Sequence, residues 1–263
     1  MLIIKAGGGA DINLEGIAAD LAELIEPFVV VLGANALRDR VAGQLGQPKV
    51  ELTSVSGYTS VYSDQDAIDL IMMSYAGLRN RRFVEMCQRQ GVNALGLTGL
   101  DGRLIEGARN RGIRVRDEGK TLLKRDFSGK PKRANGPLLE LLLDNGYRPV
   151  LTIPIVDEQG FAINSENDDI VNTLQDALHA ARIVQLIEAP GFLDNHDDPT
   201  SLVTQMSRTE LEQREDQVTG RMKRKMLALR KLFAAGAAEV IIADGRVAQP
   251  VHEALAGKGT LIR

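Results

Sequence analysis

Short apolar runs rich in β-branched residues and leucine alternate along this chain with longer segments whose apolar positions recur every three or four residues. The short runs predict strands over residues 2–4, 28–32, 94–97, 149–153, 183–187 and 239–243. The longer segments predict helices over 14–24, 65–90, 136–145, 168–178, 221–235 and 250–256. Caps mark several ends: Asn13 before the first helix, and Gly91, Gly146 and Gly236 after later ones. Strand–helix alternation of this kind predicts an α/β fold with a mainly parallel central sheet covered on both faces.

Two stretches break the rhythm. Residues 101–133 alternate with a period of two and turn at Glu118-Gly119, which predicts hairpins projecting from the body. Basic residues outnumber acids there, among them Arg114, Arg116 and Lys124. The ordinary fate of such a run is a solvated face. Residues 194–217 are acidic and read as a surface loop with a short helix.

Composition narrows the function. At 263 residues the chain builds a large core, as one long domain or two lobes meeting near residue 170. A net charge of −3 argues against wholesale nucleic-acid binding. The only cysteine, Cys87, lies in a helical context and reads as a packed thiol, so no internal disulfide or cysteine metal cluster is possible. No apolar run approaches the roughly 20 residues of a membrane helix, and the first run is too short for a signal sequence. The expected compartment is the cytoplasm.

Candidate chemistry gathers where strands end. KAGGGA follows the first strand, offering Lys5 as a cation and glycines whose N–H groups can approach an anion closely. It is neither a Walker loop nor a dinucleotide fingerprint. FVVVLGANALRD ends the second strand at Gly33. AINSENDDI places Asn164, Glu166, Asp168 and Asp169 before a helix, either as caps or as a carboxylate that orients lysines near a transferring phosphate. GRMKRKM puts Lys223, Arg224 and Lys225 at a helix start, where cations oppose the dipole and invite an anionic ligand.

In their order these pieces resemble the amino acid kinase family: Lys-x-Gly-Gly after strand one, Asn-x-acid mid-chain, Ala189-Pro190-Gly191 after a later strand, then Gly220, Met222 and Lys225. GLTGLDGRLIEG, GRMKRK, ADGRV and the terminal GKGT are most similar to acetylglutamate kinases, and to their relatives that phosphorylate aminoadipate or glutamate carried on the protein LysW. The resemblance implies a three-layer αβα sandwich in two lobes, with acceptor binding and dimerisation in residues 1–168 and ATP binding in 169–263. It implies transfer of the γ-phosphoryl group of ATP, with Mg2+ held mainly by the nucleotide and no direct protein metal ligand.

By the same resemblance, Lys5 and Lys225 would neutralise the transferred group, and Glu166 would orient the two lysines. N–H groups around Gly7, Gly8, Gly33 and Ala34 would hold its oxygens. Gly57, Val61 and Asn164 would line the acceptor, while Glu188, Gly191 and Met222 would line the nucleotide. Arg114, Arg116 and Lys124 would dock an acidic LysW-type carrier by long-range attraction. A homodimer is implied, and since the chain opens directly on its first strand, arginine inhibition is not.

Three positions depart from the family pattern. Leu32-Gly33-Ala34 replaces His-Gly-Gly, Val61 stands where relatives carry an arginine that clamps the acceptor's carboxylate, and Glu166 replaces an aspartate. Two readings follow. One is a working carboxylate kinase, with the expected acceptor or with altered acceptor specificity, and the other a degenerate member that binds nucleotide or a partner without efficient transfer.

Overall fold

The computed structural model describes all residues except 48, 54, 56–58, 118–119, 196, 199 and 218–219, and for 59, 60, 117 and 220–225 it describes the backbone alone. Along the chain the first strands are β1 (Leu2–Ala6), β2 (Phe28–Leu32), β3 (Glu51–Thr53), β4 (Thr59–Val61), β5 (Ala94–Thr98), β6 (Ile105–Arg109), β7 (Ile113–Asp117) and β8 (Lys120–Lys124). Then come β9 (Gly129–Ala134), β10 (Arg148–Thr152), β11 (Ile155–Val156), β12 (Ala162–Ile163), β13 (Arg182–Ile187), β14 (Gln205–Met206), β15 (Glu239–Asp244) and β16 (Thr260–Ile262). The α-helices are α1 (Leu14–Ala22), α2 (Asn35–Gln44), α3 (Gln65–Ile71), α4 (Arg81–Arg89), α5 (Gly136–Asp144), α6 (Asn167–Leu178), α7 (Arg208–Gln217), α8 (Gly220–Ala234) and α9 (Pro250–Leu255).

Eight strands form the central sheet in the spatial order β14-β16-β15-β13-β1-β2-β10-β5. All its pairings are parallel except β15 with β16. Side chains of β1 alternate between two cores, as the two-residue period of a strand requires. Leu2 and Ile4 pack with Ile17 and Leu21 of α1, Phe83 of α4 and Val251 of α9. Ile3 packs on the other face with Leu139 of α5, Ile170 and Leu174 of α6, and Leu229 of α8. This is the expected helix–sheet–helix sandwich. Cys87 is fully buried, and burial pushes its thiol up to about 12.

Local chemistry accounts for many boundaries. Asn13 caps α1 by accepting the Gly16 N–H, and Gly91, Gly146 and Gly236 turn the chain with positive φ. The predicted helix over 65–90 is α3 and α4 joined through a π-helical stretch, Met72–Asn80. The wider turn is pinned to the sheet. Asn80 donates to the Val150 carbonyl at 2.8 Å, and Arg81 to the Gly96 carbonyl at 2.5 Å.

Residues 101–133 pair as β6 with β9, enclosing the β7–β8 ribbon. Its expected turn, Glu118-Gly119, lies outside the described residues. Register divides the three basic residues assigned to one docking surface. Arg114 lies opposite Leu123 and Arg116 opposite Thr121, on one face, whereas Lys124 lies opposite Ile113 on the other. The sequence interval from 116 to 124 hides this, because a turn restarts the alternation.

Candidate active site

The site forms where the sheet changes direction. β1 has β2 on one side and β13 on the other, and in open α/β sheets the crevice beyond such carboxyl ends receives ligands. The loops after β1, β2 and β13 meet there.

The first two loops touch backbone to backbone. A Cβ on Gly8 would sit 2.7 Å from the Asn35 nitrogen and 2.9 Å from that of Ala34, and a Cβ on Gly33 would sit 2.5 Å from the Gly8 nitrogen. Both glycines are therefore required by close approach. The structure corrects the donor set, however. The Gly7 N–H is spent on the Leu186 carbonyl and the Gly33 N–H on the Ala6 carbonyl, each at 2.9 Å, because both residues still extend their strands. The Gly8 and Ala34 amides lie one residue beyond. Ala34 is the residue before α2, with φ −148° and ψ 30°; its φ is negative, so the position does not require the left-handed backbone that favours glycine. Leu32 turns its side chain into the core, and its carbonyl accepts from Thr152 and Asn167.

Lys5 pairs with Asp168, both partly buried. At Lys5 the structure departs from the expectation: the carboxylate paired with it is Asp168, while the expected role of Glu166 toward Lys225 falls on a side chain outside the description. Glu166 is the residue before the first turn of α6, extended (ψ 132°) and exposed, whereas Asp168 lies in that turn and faces β1. The Asn164 side chain donates to the Ser63 hydroxyl at 3.1 Å, and its backbone is tied to Phe127 and Gly129.

On the third loop, a Glu188 oxygen accepts the Asp11 N–H at 2.8 Å, and its carboxylate lies where a Cβ on Gly9 would be, 1.9 Å from Cδ. Gly191 is buried against Leu202 and Thr260. Met222 and Lys225 lie in the first turns of α8, their side chains outside the description, and Gly57 lies outside the described residues. Val61 is half-buried at the end of β4.

Three site residues escaped the sequence reading. Tyr75, 2% exposed, donates its hydroxyl to Asn35 Oδ1 at 2.5 Å. Burial pushes that phenol up to about 12, with Arg38 and the Ala34 N–H opposing the shift and Glu166 adding to it. The Arg38 guanidinium, whose charge acts on Tyr75, is paired with Asp39. Arg79 reaches from the π-helical stretch to the Gly33 carbonyl (3.1 Å, Nε) and the Gly7 carbonyl (3.3 Å, Nη2). Its burial lowers the guanidinium pKa, offset by Tyr75 and Glu188. The signal was present: Arg79 falls four residues after Tyr75 and four before Phe83, on the buried stripe of a helix.

Such an arrangement gathers cations and backbone donors around a crevice and suits an anion whose charge grows during reaction. Comparison with known proteins agrees. The sequence model of the amino acid kinase family matches residues 1–244. The chain is 38% identical to the LysW-aminoadipate kinases of Deinococcus radiodurans and Thermus thermophilus, over all of this chain and 91% and 100% of theirs. It is 32% identical to the acetylglutamate kinase of Methanopyrus kandleri over the full length of both. Among solved structures, Giardia carbamate kinase superposes with a TM-score of 0.63 at 15% identity, covering 99% of this chain and 97% of that one.

Proposed function

The chain belongs to the amino acid kinase family, and on that premise we propose that it transfers the γ-phosphoryl group of ATP to the side-chain carboxylate of 2-aminoadipate or glutamate held on a LysW-type carrier. The product is an acyl phosphate for lysine- or arginine-type biosynthesis. The observation that carries this reading is the Lys5–Asp168 pair beside the interlocked glycine loops at the sheet's switch point.

In the reaction a carboxylate oxygen forms a bond to the γ-phosphorus as the bond to the ADP oxygen breaks. Charge spreads over the equatorial oxygens, so positioning and fixed positive charge supply most of the catalysis. Lys5, held by Asp168, stands on the transferring group, and Lys225, in the first turns of α8, is assigned by the family resemblance to neutralise it too. The Gly8 amide donates to its oxygens. Arg38, close to Tyr75, supplies the cation that Val61 does not, and holds the acceptor's carboxylate. Mg2+, when bound, would neutralise nucleotide charge and be held chiefly by the phosphates.

The lobes divide between β13 and β1. Residues 1–168 serve the acceptor and a homodimer interface, and residues 169–263, including Glu188, Gly191 and Met222, serve ATP. The compartment is the cytoplasm, and among the described residues no helix is long and apolar enough to cross a membrane. Arg114 and Arg116 share one exposed face and dock the acidic carrier. R114E/R116E weakens carrier binding about tenfold or more at low salt and little at high salt, while K124E, on the opposite face, changes it less.

ADP release with carrier-linked aminoadipate, carrier-linked glutamate, free aminoadipate and acetylglutamate tests the reading. Turnover is expected with a carrier-linked acceptor. Retained ATP binding without turnover on any of the four would transfer support to a nucleotide-binding, non-catalytic role.

A further inference from the structure

Arg79 contacts the two phosphate-side loops at the carbonyls of Gly33 and Gly7. Those carbonyls share peptide planes with the N–H groups of Ala34 and Gly8, neither of which is used in strand pairing. Peptide planarity sets C=O and N–H antiparallel. Holding each carbonyl on the guanidinium therefore turns each N–H the opposite way. For Ala34 that direction is the buried Tyr75 hydroxyl, which its N–H holds, so the amide left to face the crevice is that of Gly8.

We propose that Arg79 is a positioning residue that locks the Gly7–Gly8 and Gly33–Ala34 peptide planes, so that the Ala34 amide is held on Tyr75 and the Gly8 amide is aimed and polarised toward the transferring phosphoryl group; this rests on the kinase reading above. Four features carry it. The guanidinium is planar with donors in a fixed fork, so one side chain can hold two carbonyls at once. Its hydrogen bonds are charge-assisted, and in a low-dielectric site a carbonyl that accepts from a cation leaves its own N–H a stronger donor. The loops it joins are in backbone contact, so their relative position is fixed from both sides. Glu188 and Tyr75 act on its charge in the favourable direction.

Hydrogen–deuterium exchange on the ligand-free protein and steady-state kinetics, for wild type, R79M and R79K, test this. In R79M, peptides covering residues 6–11 and 32–36 exchange about tenfold faster, with the remaining strands unchanged. Its kcat falls about a hundredfold, the scale of losing one transition-state donor, while KM for the acceptor stays within about threefold. R79K recovers part of both effects, because an ammonium lacks the fork that holds two carbonyls together. It also carries the test if R79M fails to fold. Unchanged exchange in both loops would overturn the proposal. So would a raised acceptor KM at constant kcat, which would make Arg79 an acceptor ligand. A wild type without turnover would sink the kinase reading alone, since exchange on the ligand-free protein still decides whether Arg79 holds the loops.

Discussion

Replacing Gly8 by alanine isolates the contact between the two glycine loops. The new methyl would stand 2.7 Å from the Asn35 nitrogen, 2.9 Å from the Ala34 nitrogen and 3.1 Å from the Gly33 carbonyl carbon, all backbone atoms without rotamers to yield. Reaching an ordinary contact of 3.4 Å separates the loops by about 0.7 Å. Overpacking of this kind costs about 1–3 kcal/mol. For a domain of this size, that lowers Tm by roughly 2–12 °C at 2–4 °C per kcal/mol. The effect on chemistry is larger: displacing a reacting group by about an ångström costs around a hundredfold in rate. The control is Gly43, in α2, where an added Cβ meets nothing within 4 Å. G43A stabilises by roughly 0.5–1 kcal/mol through reduced chain entropy and leaves kcat unchanged. Thermal melts and ADP-release kinetics on the two variants decide the matter. A G8A enzyme with wild-type kcat would refute the idea that contact between these loops sets the phosphoryl site.

Other outcomes follow from the same geometry. D168N frees Lys5 from its partner and lowers kcat about a hundredfold at near-constant acceptor KM, whereas E166Q has a smaller effect on kcat; the reverse order by steady-state kinetics would restore Glu166 to the lysine. Tyr75 makes stability depend on pH in the alkaline range. Its folded pKa of about 12 exceeds the unfolded value of 10.0, so its contribution is fully present below pH 10 and is lost as pH rises toward 12. Over that window the loss is about 3 kcal/mol, and urea unfolding at pH 8, 10 and 11 shows it as a steeper decline in wild type than in Y75F. R38A raises the acceptor KM about tenfold or more with ATP affinity unchanged, and an unchanged acceptor KM would leave the carboxylate to another group.

Much of the architecture was legible because burial imposes a period. The six predicted strands all belong to the central sheet, whose residues face cores on both sides and so read as unbroken apolar runs. α2 was illegible for the opposite reason: only Ala42 of NALRDRVAGQ is buried, and nothing in its pattern separates it from a loop. Within the site, residue types and order located the crevice but not the partners. Whether Glu166 or Asp168 faces Lys5 depends on where the first turn of α6 begins, a matter of one or two residues that composition does not specify. Gly7 and Gly33 were read as donors because glycine marks a loop, although both still complete strand pairing. Arg79 binds carbonyl oxygens, which every residue possesses and no sequence pattern distinguishes.

The order of the sheet also has a consequence for synthesis. β1 is fifth from one edge of the eight-stranded sheet and fourth from the other, yet one of its neighbours is β13, whose residues 182–187 leave the ribosome long after it. Until then Leu2–Ala6 presents an unpaired apolar edge, the kind of edge that recruits strands from other chains. The crevice closes at the same late moment, since Lys5 must wait for Asp168. A truncated or stalled chain therefore exposes its most adhesive strand and has no site, which makes the emerging N-terminal half the natural client of a chaperone and places the risk of misassembly before β13 rather than at the finished fold.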